Sequence, residues 1–286
     1  MPERIGFLIH KTARENIKRK TVDLAESTEN SYIKELRFPL SEIEKDTNIV
    51  VVVGGDGSVR RVSEALIGKE NPILLVAPGG SQNGFYRALL DTRTVITSDQ
   101  LTQQSIEKIP SFRPGIINGR LFNHQSAVGE LALIQSEFNH RLRAHQFPRN
   151  YRTYAASALT IARGLTLKEE SDYLVRLAAT NPYAAALKIL PEQDLFSDTL
   201  SLISIKSAKT RIQSVAKLGF IFFCALIGGK PPLLDIQSDR IFNFSEEIKK
   251  ANNDGEVLDL NEDKTIRIER SKQSIRVAAL EMTPLH

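Results

Sequence analysis

Two glycine-rich turns hold the residues best suited to chemistry. Gly54-Gly55-Asp56-Gly57-Ser58 follows the β-branched run Ile49–Val53, and Pro78-Gly79-Gly80-Ser81-Gln82-Asn83-Gly84 follows the apolar run Ile73–Ala77. Glycine lets a backbone turn tightly and lets a ligand come close to it. Backbone N–H groups at the start of the following helix can then hold phosphate oxygens. Asp56 cannot meet phosphate without a cation, so its place suits Mg²⁺ or the orientation of a hydroxyl. Arg60 and Arg61 fall in the first helical turn, where cations oppose the helix dipole unless an anion lies nearby. A plain strand-to-helix turn with solvated arginines is the alternative. Neither turn has the Gly-Lys-Ser/Thr ending of a Walker loop, and neither has G-x-G-x-x-G spacing. Farther along, Asn253-Asp254-Gly255-Glu256 contains an Asp-Gly hairpin signal between Ile248 and Val257.

Alternating strands and helices must place these turns. Ile5–Ile9, Leu36–Leu40, Ile49–Val53 and Ile73–Ala77 read as strands, with helices expected over Thr12–Ser27, Val59–Ile67 and Phe85–Leu90. That alternation predicts parallel strands with crossover helices, whose carboxyl edge is where ligands bind. Beyond Ile109–Pro114 short strand-like runs dominate: Gly115–Ile117, Tyr173–Ala178, Leu200–Ile205, Ile241–Phe244, Thr265–Glu269 and Ile275–Ala279. Helical stretches at Tyr151–Arg163 and Thr210–Ile227 interrupt them. The expected architecture is an α/β N-terminal domain with a parallel sheet (1–114), followed by a mainly antiparallel, β-sandwich-like C-terminal domain (115–286). A return of the C-terminal tail to the first domain is left open.

The 286 residues are 41% hydrophobic and 25% charged, which suits a globular chain with a real core rather than a disordered or disulfide-stapled one. One cysteine, Cys224, permits no internal disulfide and no cysteine-rich zinc site, so a reducing, cytoplasmic location is expected. The net charge of +4 favours an anionic partner without choosing among nucleic acid, phosphorylated ligand and membrane surface. The apolar stretch Leu218–Ile227 is too short to span a bilayer. It reads as a buried helix, or as a membrane-contacting face or acyl-chain wall.

The two turns together, with Asn83-Gly84-Phe85-Tyr86-Arg87-Ala88-Leu89 after the second, resemble the diacylglycerol kinase catalytic-domain family of bacterial lipid kinases, sphingosine kinases and ceramide kinases. The resemblance extends through Leu121-Phe122-Asn123 with Gly129, through Pro191, Leu195, Asp198 and Leu200, and through Asp254-Gly255-Glu256. It implies an ATP-dependent lipid kinase that uses Mg²⁺. ATP would lie against Gly54, Gly55, Asp56, Gly57, Ser58, Arg60, Gly80, Ser81 and Asn83. A structural cation would be held by the Asp198 carboxylate with the Leu195 and Leu200 carbonyls. Glu256 would be the general base facing the cleft between the domains, and Asp56 the other catalytic carboxylate. The implied acceptor is a diacylglycerol, sphingoid base or ceramide, reached by transient, peripheral contact with a membrane. A homodimer is compatible with the sequence. No dense basic stripe with interleaved aromatics points to nucleic acid.

Several positions depart from the family pattern. Gly84 stands where a carboxylate is usual, Arg60-Arg61 replace Asn-Glu, Thr199 replaces Gly, and His10-Lys11 replace Asn-Pro at the end of the first strand. These departures set two further readings beside the lipid kinase. One is a non-catalytic module that binds nucleotide or lipid. The other is a small-molecule kinase of the NAD kinase type, against which the residues after Pro78 argue.

Overall fold

A computed structural model describes residues 4–37, 40, 43–44, 46–80, 82–102, 108–128, 173–184, 187–190, 192–206, 235–245, 250–260 and 265–282, with short pieces between 134 and 159 and between 210 and 220. The chain forms two compact units, Met1–Arg113 with Ser271–His286, and Pro114–Arg270. The expected helices Tyr151–Arg163 and Thr210–Ile227 lie largely outside the described residues, as does the apolar stretch ending at Ile227; Cys224 lies outside them altogether.

In chain order the first unit contributes β1 (Arg4–His10), α1 (Glu15–Ser27), β2 (Ser31–Leu36), β3 (Thr47–Gly54), α2 (Asp56–Leu66) and β4 (Ile73–Pro78). It continues with α3 (Gly84–Asp91), β5 (Val95–Thr97), α4 (Ser98–Thr102) and β6 (Ser111–Phe112). The second unit contributes β7 (Gly115–Ile117), β8 (Arg120–Phe122), β9 (Gln125–Val128), β10 (Tyr173–Ala179), β11 (Tyr183–Ala184) and β12 (Leu187–Lys188). After these come β13 (Leu200–Lys206), β14 (Asp235–Asp239), β15 (Ile241–Ser245), β16 (Lys250–Asn253), β17 (Glu256–Asp259) and β18 (Thr265–Arg270). The last strand, β19 (Ile275–Glu281), goes back to the first unit.

The first sheet runs β2-β1-β3-β4-β19-β5, parallel throughout, with β6 antiparallel against β19. Ile49–Val53 is fully buried, as a β-branched strand covered on both faces should be. Two expectations are corrected here. The second strand is Ser31–Leu36 rather than Leu36–Leu40. Its mixed composition and partial exposure suit an edge position. Ile275–Ala279, grouped above with the antiparallel strands, is parallel and sits between β4 and β5. Its near-continuous burial is that of a central parallel strand.

The second unit is antiparallel, with one sheet ordered β14-β13-β10-β9-β16-β17 and another β15-β18-β7-β8. Its core gathers Val128, Ala178, Leu202 and Ala251 from the first sheet with Ile117, Phe122, Phe242 and Ile268 from the second. Apolar faces of two sheets packed on one another make a sandwich-like layer. Among the described residues, no helix is long and apolar enough to cross a membrane.

Candidate functional site

Both glycine turns lie at the carboxyl edge of the parallel sheet, because β3 and β4 are adjacent and in register, Gly54 opposite Pro78. The turns pack backbone against backbone. Gly79 N donates to Gly54 O at 2.9 Å. A Cβ on Gly79 would lie 2.6 Å from Gly54 N, and one on Gly80 would collide with Gly55 Cα. No other residue type fits positions 79 and 80 without moving the neighbouring turn.

The two turns differ in what they leave open. Asn83 sits in the left-handed region (φ 50°) and closes the second turn on itself. Its Oδ1 accepts from Gly80 N at 2.7 Å, and its Nδ2 donates to Gly80 O at 3.0 Å. The start of α3 is satisfied from the first turn. Gly84 N donates to Asp56 Oδ2 at 3.1 Å and Phe85 N to Asp56 Oδ1 at 3.0 Å. Asp56 therefore caps a helix other than its own, a use of charge that the helix dipole favours. The N-cap of α2, Gly55, has no side-chain cap bond. Its first-turn N–H groups face the carboxyl edge of the sheet, where an anion is the complementary partner.

Each anticipated nucleotide residue has a definite place. Gly54, Gly55, Gly57 and Ser58 form the first turn and the opening of α2, with Asp56 buried between the two turns. Gly80 and Asn83 shape the second turn through their mutual hydrogen bonds, while Ser81 lies outside the described residues. Arg60, expected to face phosphate, is only 4% exposed, and its Nη1 donates to Glu64 Oε1 at 2.6 Å on the same helix. Its charge is thus balanced within α2. His10, at the end of β1, borders Gly54, with 3.8 Å between its Cβ and the place a Gly54 Cβ would take. The sequence marked it only as a departure, although a strand end beside a glycine turn is a signal for this edge.

In the second unit Asp254-Gly255 is the two-residue turn between β16 and β17, with φ of 48° and 87°. Positive φ at both positions is the hairpin geometry that Asp-Gly favours. Glu256, half-buried, opens β17 opposite Asn253. Asp254 does more than turn the chain. Its Oδ2 accepts from Asn123 N at 2.7 Å, and its Oδ1 accepts from His124 N at 3.0 Å and Gln125 N at 2.8 Å. One buried carboxylate thereby ties the Glu256 turn to the start of β9. The Asn181 side-chain amide and His124 Nδ1 are hydrogen-bonded at 2.9 Å, and Ser126 Oγ donates to Asn253 Oδ1, so further buried polar side chains gather near the turn.

The anticipated cation ligands have other partners in the structure. Asp198 is about half exposed and faces Arg240, 3.7 Å away. The Leu195 carbonyl accepts from Arg270 Nη2 at 3.5 Å, and Leu200 begins β13 opposite Asp239. Among the described residues no group of three or more His, Cys, Asp or Glu side chains gathers as a metal site. Asp198 and the Leu195 carbonyl are thus engaged by arginines where a divalent cation was anticipated. Asp56 does fit one, since each of its oxygens keeps a lone pair beyond its N–H partner, and Mg²⁺ is commonly held by one or two carboxylates together with substrate phosphates.

The interlocked turns, with Asp56 bridging them, fall within one recognisable segment. Residues 6–113 match the diacylglycerol kinase catalytic domain. The catalytic-domain match ends where the first unit hands over to the second. Across nearly the full chain the fold is similar to a crystal structure of a diacylglycerol kinase from Bacillus anthracis str. Sterne, with a TM-score of 0.66 at 16% identity over 96% of each chain. A candidate diacylglycerol kinase from the same organism gives 0.66 at 15% identity over 96% of this chain and 97% of that one. No curated protein matches the chain. At such identities the likeness speaks for the fold alone.

Proposed function

We propose that the chain is an ATP-dependent lipid kinase acting on a diacylglycerol, sphingoid base or ceramide. The observation that carries this reading is the pair of interlocked glycine turns inside the segment that matches the diacylglycerol kinase catalytic domain. Phosphoryl transfer depends mainly on positioning and on balancing phosphate charge. The N–H groups at the start of α2, from Gly55 to Ser58, hold phosphate oxygens. The second turn holds the first in shape. Asp56 would hold Mg²⁺, which would supply charge neutralisation.

Glu256 is the general base in this reading. It accepts the proton of the lipid hydroxyl while the hydroxyl oxygen bonds to the γ-phosphorus. The bond from that phosphorus to the bridging oxygen breaks, and ADP leaves. The hairpin clamp at Asp254 ties down the backbone turn that carries Glu256, which supports its assignment, since general-base catalysis needs a positioned carboxylate. The basic balance of the chain suits a cytoplasmic protein that visits an anionic membrane surface.

A nucleotide-binding module without turnover is the second reading. It is favoured by Gly84 at the start of α3 and by the engagement of Arg60 with Glu64. Glu256→Gln separates the two. The kinase reading predicts that it keeps ATP binding by calorimetry and loses lipid phosphorylation by roughly 10²–10⁴-fold. Unchanged phosphorylation would remove Glu256 from the mechanism.

A further inference from the structure

The loop between β10 and β13 is organised by a side chain that the sequence did not single out. Arg270, the last residue of β18, is 8% exposed. Its Nε donates to Thr199 O at 3.1 Å, and its Nη2 donates to Thr180 O at 3.3 Å and to Leu195 O at 3.5 Å. Three carbonyl oxygens, one at the start and two near the end of one connection, thus converge on a single buried guanidinium. Converging carbonyl oxygens are the donor set that a hard cation uses.

We infer that Arg270 is the resident cation of this loop and takes the structural place that a divalent ion would otherwise fill. Three observations support the substitution. An ion on the Leu195 carbonyl would sit roughly 2.1 Å from that oxygen, beside a guanidinium already bonded to it, with two like charges in a poorly hydrated place. The carboxylates of the loop, Glu192, Asp194 and Asp198, are all exposed, and Asp198 faces Arg240. The guanidinium presents five donors in a rigid fork, so it can serve carbonyls that diverge around it, whereas an ammonium on a flexible stem cannot serve them in one geometry. The inference concerns the fold of the second unit and does not rest on kinase activity.

The test is thermal melting of the full chain, followed by circular dichroism, in excess EDTA and in excess MgCl₂ without nucleotide. Wild type is expected to melt at the same temperature in both. Arg270→Met is expected to melt roughly 5–10 °C lower in both, from the loss of charge-assisted bonds to buried carbonyls. Arg270→Lys is expected to recover only part of that loss. The inference is overturned if EDTA lowers the wild-type melting temperature and Asp198→Asn removes the response, since a bound ion would then hold the loop. It is equally overturned if Arg270→Met melts with wild type. The wild-type comparison stands even if a variant fails to fold.

Discussion

Asp56 shows how a residue chosen for chemistry is also used for structure. Its carboxylate accepts the first two N–H groups of α3 while lying in the turn that opens α2. Removing it leaves those buried donors unsatisfied. Asp56→Ala should therefore cost about 2–3 kcal/mol in denaturant unfolding as well as nucleotide binding. Asp56→Asn, which keeps one acceptor oxygen, should recover part of the stability while still binding nucleotide weakly. Stability unchanged in Asp56→Ala would show that the cap contributes nothing. Gly80 is the complementary case, since its constraint is steric. Gly80→Ala should abolish ATP binding by calorimetry, because a Cβ there displaces the Gly55 backbone. Both residues were legible as site positions in the sequence. Their partners were not, because a contact between position 56 and positions 84 and 85 exists only once two strands lie side by side.

The elements show the same division between local and distant information. The Asp254-Gly255 turn follows from two adjacent residues, and the structure forms it with φ values that few other pairs tolerate. The threefold clamp of Asp254 on residues 123–125 spans about half the chain and has no local signal. Asp254→Ala should cost about 3 kcal/mol or more, from three lost charge-assisted bonds in a buried place, read in denaturant unfolding. β2 was misplaced because an edge strand of mixed polar and apolar residues has little hydrophobic contrast, whereas the runs Ile49–Val53 in β3 and Ile73–Ala77 in β4 are apolar throughout and were plain. On α3, burial raises the Tyr86 phenol above its ordinary value of 10.0, and the charge of Glu281 adds to the rise. The folded state then holds that proton more tightly than the unfolded chain. The stability from this group is intact below about pH 10 and is lost as pH climbs through the raised value. Tyr86→Phe should flatten that alkaline loss in melting curves taken across the range.

The chain as a unit of function is two compact bodies, with the last strand crossing back to complete the first sheet. Truncation before β19 would leave β4 without its neighbour and expose a central strand edge, so a fragment ending near residue 270 should aggregate rather than bind nucleotide. The sequence arithmetic suggested a basic chain seeking an anion. In the structure Arg60 pairs with Glu64 and Arg270 bonds loop carbonyls, so neither charge depends on an external anion. The most direct test of the lipid-kinase account is transfer of γ-³²P from ATP to a panel of diacylglycerol, sphingoid base and ceramide in mixed vesicles, with NAD as a soluble contrast. The account predicts label in one lipid class, none in NAD, and loss of that label in Glu256→Gln. Saturable ATP binding with no label in any lipid, or label in NAD alone, would contradict it.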